Sequence, residues 1–333
     1  MIRTYVVIAF GLFPLILFAQ PDTLLRFDFQ ARITDTLITP PPTNLPQEAW
    51  TSAFKGSMQT TTILPTQPGN LVYANTELSR LEKAAERFSL DEYPGRLSVK
   101  ILAFSGNDTI EESSGLLVGD RWVLTNAFAF WDVINEQFYD SIQVFPAFDQ
   151  GVPHPIYGMA RVKKGYAFLT LLQNQRHDPG LLELVEPIGN ELGYAGIYMS
   201  QDSAFFTEQI FHKLSYVQQA FPGDSLFAYS NDTLYYNYGR LDILPAVAFS
   251  EWHGDLGIAS PGIATGLEGQ LGSPFFFQDS SQTEHIFAVG VFTYAAFYRH
   301  YRITPEVFAA FSPLIGGPIL SAQPSLGGEV AIK

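Results

Sequence analysis

The chain contains no cysteine. That excludes disulfide staples, thiolate nucleophiles and cysteine-ligated zinc together. Basic residues are also few: 19 Lys and Arg stand against 33 Asp and Glu, for a formal net charge of -14. A surface of that sign repels phosphate backbones, so nucleic acid is not expected as a partner. The six histidines (His154, His177, His212, His253, His285 and His300) never fall at the i, i+4 spacing of a helical metal pair. No metal site is indicated, and no cofactor is expected. Beyond residue 20 there is no apolar run long enough to cross a bilayer, so the chain downstream is expected to be soluble.

What is present begins with MIRTYVVIAFGLFPLILFAQ, one early Arg3, an apolar stretch and Phe18-Ala19-Gln20. This reads as a secretory signal peptide over residues 1–19, cleaved after Ala19. Leu17 at the minus-three position is imperfect for cleavage, and an uncleaved N-terminal anchor is the alternative. Without residues 1–19, whose one charge is Arg3, the charge is -15. About 310 residues then remain, enough for one large or two small cores. Export to a secreted or periplasmic location is expected.

Residues 20–92 read as an N-terminal extension. PPPT, LPTQP and Thr clusters separate short apolar runs over residues 20–70, as in an extended arm. In NTELSRLEKAAERF, Leu78, Leu81, Ala85 and Phe88 share one helical face and Asn75 or Thr76 can cap it, which predicts a helix over about 76–88. From Tyr93 onward, short apolar strands alternate with Gly, Pro, Asn and Asp. SVKILAF, GLLVG, RWVLTNA, SIQVFPAF, ARVKKGYAFL and GLLELV form one set; FHKLSYVQQ, SLFAYS, TLYYNYGRLDIL, AVAFSEW, SPFFFQ and HIFAVGVFTY form another. The expected fold is all-β, with two consecutive six-stranded antiparallel β-barrels over 93–187 and 188–303. A short C-terminal helix follows over 304–315, where Thr304 caps, Pro305 opens and Glu306 occupies the first turn. Residues 316–333 read as a tail.

Asp followed by Ser or Thr and then an apolar residue occurs seven times, at Asp22, Asp35, Asp108, Asp140, Asp202, Asp224 and Asp232. Ordinary usage gives roughly one or two such triplets in a chain of this length. The pattern resembles the O-glycan acceptor sequence of some exported Gram-negative bacterial proteins; equally, Asp-Thr and Asp-Ser make good turns before strands.

SGLLVGDRWVLTNAFAFWD (114–132), RHDPGLLELVEPIGNELGY (176–194), GLEGQLGSPFF (266–276) and YRITPEVFAAF (301–311) stand in order along the chain. Together they resemble the trypsin-like serine protease family, and in particular its secreted bacterial glutamyl-endopeptidase-like branch. The resemblance implies a chymotrypsin-like double barrel over about 93–312. It also implies a triad whose base, orienting carboxylate and nucleophile fall at positions 128, 178 and 271. Here those positions hold Phe128, Asp178 and Leu271. Acyl transfer needs a hydroxyl to carry the acyl group, an imidazole to move its proton and a carboxylate to orient the imidazole. Leucine has no nucleophilic atom and phenylalanine no titratable one, so no functional catalytic residue is expected.

Phe128 and Leu271 are read as a hydrophobic plug, each side chain contributing about 1.5–3 kcal/mol if fully covered. Ser273 lies two residues beyond the turn and enters the following strand, and His177 alternates to the opposite face from Asp178. His253 reads as a surface or structural residue. The backbone N–H groups of Gly269 and Leu271 occupy the family's oxyanion-hole positions, a nest able to hold a carbonyl without any nucleophile. Phe292, Thr293 and Tyr294 fall on the strand that pairs with substrate backbone in active members; Phe292 stands where glutamate-specific relatives carry histidine. The functional expectation is an inactive homologue, monomeric, that binds a peptide or protein. A hydrolase with a displaced nucleophile and a regulatory decoy for an active relative are the alternatives. The extension, with no dibasic junction and nothing left to activate, is expected to stay attached and pack on the barrels.

Overall fold

Strands dominate because apolar residues alternate or run continuously between turn residues, and each strand buries one or both faces. The computed structural model describes residues 23–42, 45–57, 61–66, 81–132, 135–169, 179–217, 229–239, 242–243, 257–259, 269–279, 284–292 and 299–316. Four strands belong to the extension: β1 (Thr23–Asp28), β2 (Ile33–Ile38), β3 (Glu48–Trp50) and β4 (Glu82–Lys83). The first barrel follows with β5 (Ser98–Ser105), β6 (Asp108–Leu117) and β7 (Trp122–Asn126). A small hairpin of β8 (Trp131–Asp132) and β9 (Gln137–Phe138) comes next, then β10 (Ser141–Pro146), β11 (Ala160–Phe168) and β12 (Pro179–Leu184). The order β10-β5-β6-β7-β12-β11 closes on itself because β10 also pairs with β11, giving a six-stranded antiparallel barrel. Leu97, Val99, Ile101, Leu116, Val123 and Leu124 fill its core.

The second unit contains β13 (Gly196–Ser200), β14 (Phe211–Tyr216), β15 (Leu234–Gly239), β16 (Asp242–Ile243), β17 (Gly257–Ala259), β18 (Pro274–Gln278), β19 (Ile286–Phe292) and β20 (Arg299–Arg302). Its path runs β16-β17-β20-β19-β18-β14-β15, with β13 parallel to β19. Trp50, Tyr198, Phe205, Phe211, Phe275 and Phe277 form a cluster here. Edge-to-face pairs such as Tyr198–Phe277 at 5.2 Å set its geometry. The C-terminal helix spans Pro305–Ile315; the Thr304 side chain caps it by accepting from Val307 N, and Gly316 ends it in the left-handed conformation.

One expectation for the extension needs correction. The helix over about 76–88 is not formed in its described part: Glu82–Lys83 is strand paired with Tyr235–Tyr236, and Ala84–Glu86 is a single 3-10 turn. Leu81 and Phe88 of the expected face are buried, but Ala85 is exposed and Ala84 is buried in its stead. They reach that burial because the edge of β15 supplies the backbone partners, and tertiary pairing overrides local propensity. The rest of the extension adds strands to both units. The β1–β2 hairpin adds to the first barrel along β11, and β3 adds to β13 of the second unit. Gln278 on β18 accepts from Leu64 N and donates to Thr62 O.

The Asp-Ser/Thr triplets have local structural roles. Asp202 caps a short helix through Ala204 N, Asp140 accepts from Gly106 N and pairs with Arg32, and Asp35 pairs with Arg26. Asp202 and Asp140 thus act as cap and turn residues, and Asp35 as an ion-pair partner within β2. Asp22 and the triplet at Asp224 lie outside the described residues.

Candidate functional site

The loop at residues 269–273 is built by glycine and backbone. Gly269 and Gly272 have φ +78° and +75°, which only glycine adopts at no cost. Ser273 N–H donates to Gln270 O at 2.9 Å and Gly272 N–H donates to Phe292 O at 3.0 Å, while Ser273 O accepts from Phe292 N at 2.8 Å. The loop is thereby fastened to the end of β19.

Ser114 on β6 fastens it to the first barrel as well. Its N–H donates to Leu271 O at 2.9 Å and its hydroxyl to Gly269 O at 3.0 Å, and the same Oγ accepts from Tyr216 N at 2.9 Å. Thr125 Oγ1 then donates to Ser114 O at 2.8 Å. None of these bonds uses the side chain at position 271, so the loop keeps its shape whichever residue sits there. Among the described residues, no backbone carbonyl accepts from the N–H of Gly269 or Leu271.

Gly272 sits against the first barrel. A Cβ there would collide with Thr125 Oγ1 and lie 2.5 Å from Ser114 O and 2.9 Å from Asn126 N. Gly272→Ala is therefore expected to lower stability by about 2–4 kcal/mol, read as a shift in the urea midpoint. An unchanged midpoint would mean that the barrels separate locally without cost.

Phe128 lies in the 3-10 turn Ala127–Ala129, which Asn126 caps by accepting from Ala129 N at 3.2 Å. Ala127 and Ala129 are buried, and Phe128 is half-buried against the first-barrel core. Leu271 is half-buried too. The contact of Gly272 with Asn126 brings the two stretches together across the inter-barrel boundary. Neither side chain is fully covered, so the gain expected of complete burial is only partly realised. Asp178, His177, His253, Thr293 and Tyr294 lie outside the described residues.

Ser273 is buried and its hydroxyl has no hydrogen-bond partner. Phe292 is also buried. Below its ring, 4.0 Å from the centroid, lies Lys213 Nζ on β14, a residue that sequence patterning did not single out. Lys213 is fully buried, its amine makes no hydrogen bond, and desolvation holds its pKa well below the ordinary lysine value. Asn237, opposite it on β15, is buried with both side-chain polar atoms unpaired. On the other face of β14, His212 Nδ1 contacts Tyr236 Oη at 2.8 Å, and burial pulls its pKa down to about 3. His212 is thus neutral at physiological pH, and burial disfavours the charged form of Lys213. Among the described residues, no cluster of three His, Asp or Glu side chains is placed to hold a metal ion, and no helix is long and apolar enough to cross a membrane.

No protein-family model matches the chain. A glutamyl endopeptidase of Bacillus licheniformis is 28% identical over 226 residues, covering 65% of this chain and 62% of its own length. The match thus spans less than two thirds of that relative. The solved structure of a Glu endopeptidase in complex with MPD superposes with a TM-score of 0.53 at 16% identity, covering 71% of this chain and 96% of that one. Protease Anisep from Arthrobacter nicotinovorans gives 0.49 at 14% identity, over 67% of this chain and 96% of its own. The closed first barrel, the second sheet, the C-terminal helix and the first of these superpositions assign a trypsin-like serine protease fold.

Proposed function

We propose that this chain, with its trypsin-like serine protease fold, is an exported, catalytically inactive homologue that binds a peptide or protein. One observation carries the reading: the loop at 269–273 has glycine geometry and cross-barrel bonds with Leu271 at its centre, and the sequence resemblance aligns Leu271 and Phe128 with the nucleophile and the base. A side chain with no hydroxyl cannot form an acyl intermediate, and one with no titratable atom cannot move its proton. The N–H groups of Gly269 and Leu271 can still bind a carbonyl or small anion. The displaced-nucleophile alternative is weakened by Ser273, whose hydroxyl is buried and makes no hydrogen bond.

Phe292 is buried, and so is the amine beneath it, so the lysine presents no charge at the surface to an acidic side chain. This sets the proposed specificity apart from the glutamyl preference named in the relatives. The signal-like residues 1–19 and the exported branch that the sequence resembles support a secreted or periplasmic location.

The reading is tested with a serine-directed fluorophosphonate. The unmodified chain is expected to remain unlabelled, and the double variant Phe128→His, Leu271→Ser to acquire label at position 271. Covalent labelling of the unmodified chain would establish a displaced nucleophile and defeat the proposal.

A further inference from the structure

The two hairpins flanking the first barrel enclose a cleft that the peptide-binding reading does not use. Along β1, alternate residues point to opposite faces, which places Phe27 toward the β8–β9 hairpin. Its ring stacks on Phe138 with centroids 4.6 Å apart and planes 3° from parallel; Trp131 meets Phe138 edge-on at 4.7 Å. These three rings floor a cleft of about 360 Å³. Arg32, Glu136 and Gln137 line the same cleft.

Both hairpin tips hold a non-glycine residue in the left-handed region, Arg32 at φ +59° and Glu136 at +52°. Such backbone is costly for a side-chain-bearing residue and persists where the surroundings enforce it. Arg32 is further fixed by donating to Asp140 O at 2.7 Å, by an ion pair with the Asp140 carboxylate and by lying 5.9 Å from the Phe27 centroid. The guanidinium is therefore preorganised at the rim.

We propose that this cleft is a carbohydrate site that takes a pyranose. The floor and the rim together select that chemistry. One face of a pyranose is a patch of C–H groups that covers an aromatic ring, and its edge carries hydroxyls that both donate and accept. A guanidinium, a carboxylate and a carboxamide supply planar donors and acceptors for such hydroxyls. A purely apolar ligand would cover the exposed Glu136 and Gln137 without pairing them, and a phosphate would meet the Glu136 carboxylate. Small-molecule sites begin at about 300 Å³, so the volume suits one or two sugar rings. One wall comes from the N-terminal hairpin and the other from β8–β9, three residues after Phe128, so the site exists only while the extension is docked.

Saturation-transfer-difference NMR on the full chain with the methyl glycosides of glucose, galactose, mannose and N-acetylglucosamine tests this. At least one is expected to receive saturation at its ring C–H protons. Trp131→Ala is expected to weaken that binding about tenfold. Gln137→Ala, at an exposed position on β9, is expected to weaken it severalfold while leaving the fold intact, which keeps the test decisive should the tryptophan variant misfold. No transfer to any of the four glycosides, or transfer undiminished in Gln137→Ala and Trp131→Ala alike, would overturn the assignment. So would displacement of the sugar signal by phenol at equal concentration, which would identify an aromatic-ring site instead.

Discussion

Lys213→Met is expected to raise the stability of the protein and to remove an upward slope of stability with pH. The lysine is fully buried in β14, facing Phe292 with Asn237 opposite, and its amine has no hydrogen bond. A lone ammonium in such surroundings loses its hydration, so burial disfavours the charged form in the folded state. The unfolded chain protonates the same group below about pH 10.4. Its folded pKa is depressed, so between that pKa and about pH 10.4 the unfolded state binds the extra proton. Within that window the contribution of this residue to stability rises by about 1.4 kcal/mol per pH unit, and outside it the contribution is flat.

Methionine fills much the same volume and carries no proton, so it removes both the penalty and the slope. Near pH 7 the gain is expected to be about 1–4 kcal/mol, by analogy with buried ionic groups replaced by apolar ones. Urea unfolding of both proteins between about pH 6 and pH 9 measures it, and the difference cancels the titrations they share. The two stability curves should converge as pH rises. Parallel curves would show that the amine is solvated in the folded state.

Arg96→Met is expected to act in the opposite direction, by about 3–5 kcal/mol. Arg96 is fully buried, and its guanidinium donates to three carbonyls: Leu192 O at 2.6 Å, Asp91 O at 3.1 Å, and Lys55 O. These carbonyls belong to the inter-barrel turn, to the segment entering the first barrel and to the N-terminal extension. One side chain thus joins three parts of the chain that share no strand at that point.

Methionine would leave the carbonyls buried with a donor lost, at about 1–3 kcal/mol each in the worst case. Lysine should not rescue, because a single ammonium cannot match the fixed fork of a guanidinium. Two measurements check this: the urea midpoint, and the rate of limited proteolysis within residues 55–80, which should rise as the extension loses its hold on the turn. Near-normal stability with unchanged proteolysis would mean that water reaches the three carbonyls and replaces the arginine.

How far the sequence could be read depends on the range of the signal. RWVLTNA predicted a strand, and Trp122–Asn126 forms one; Thr304, Pro305 and Glu306 predicted the start of the C-terminal helix, and each takes that place. Both signals lie within a few neighbouring residues. The stretch around Leu81–Phe88 failed for the opposite reason. Its apolar spacing suits a helix, but the decisive partner is the edge of β15, some 150 residues away in sequence. Lys213 was missed for a related reason. FHKLSYVQQ reads as a strand, and nothing within it says that both faces will be covered, so a lysine there passes for a solvated one.

The sequence alone determined the class of fold, and it supplied the expectation that Leu271 and Phe128 stand where a nucleophile and a base would. Both follow from residue identity and short-range periodicity, which need no folded chain to be read. Only the tertiary structure decided that the extension adds strands to both units, that Ser114 ties the 269–273 loop across the boundary, and that an amine lies dry beneath Phe292. Those outcomes depend on which distant surfaces exclude water from one another, and burial is a property of the assembled chain rather than of any stretch within it.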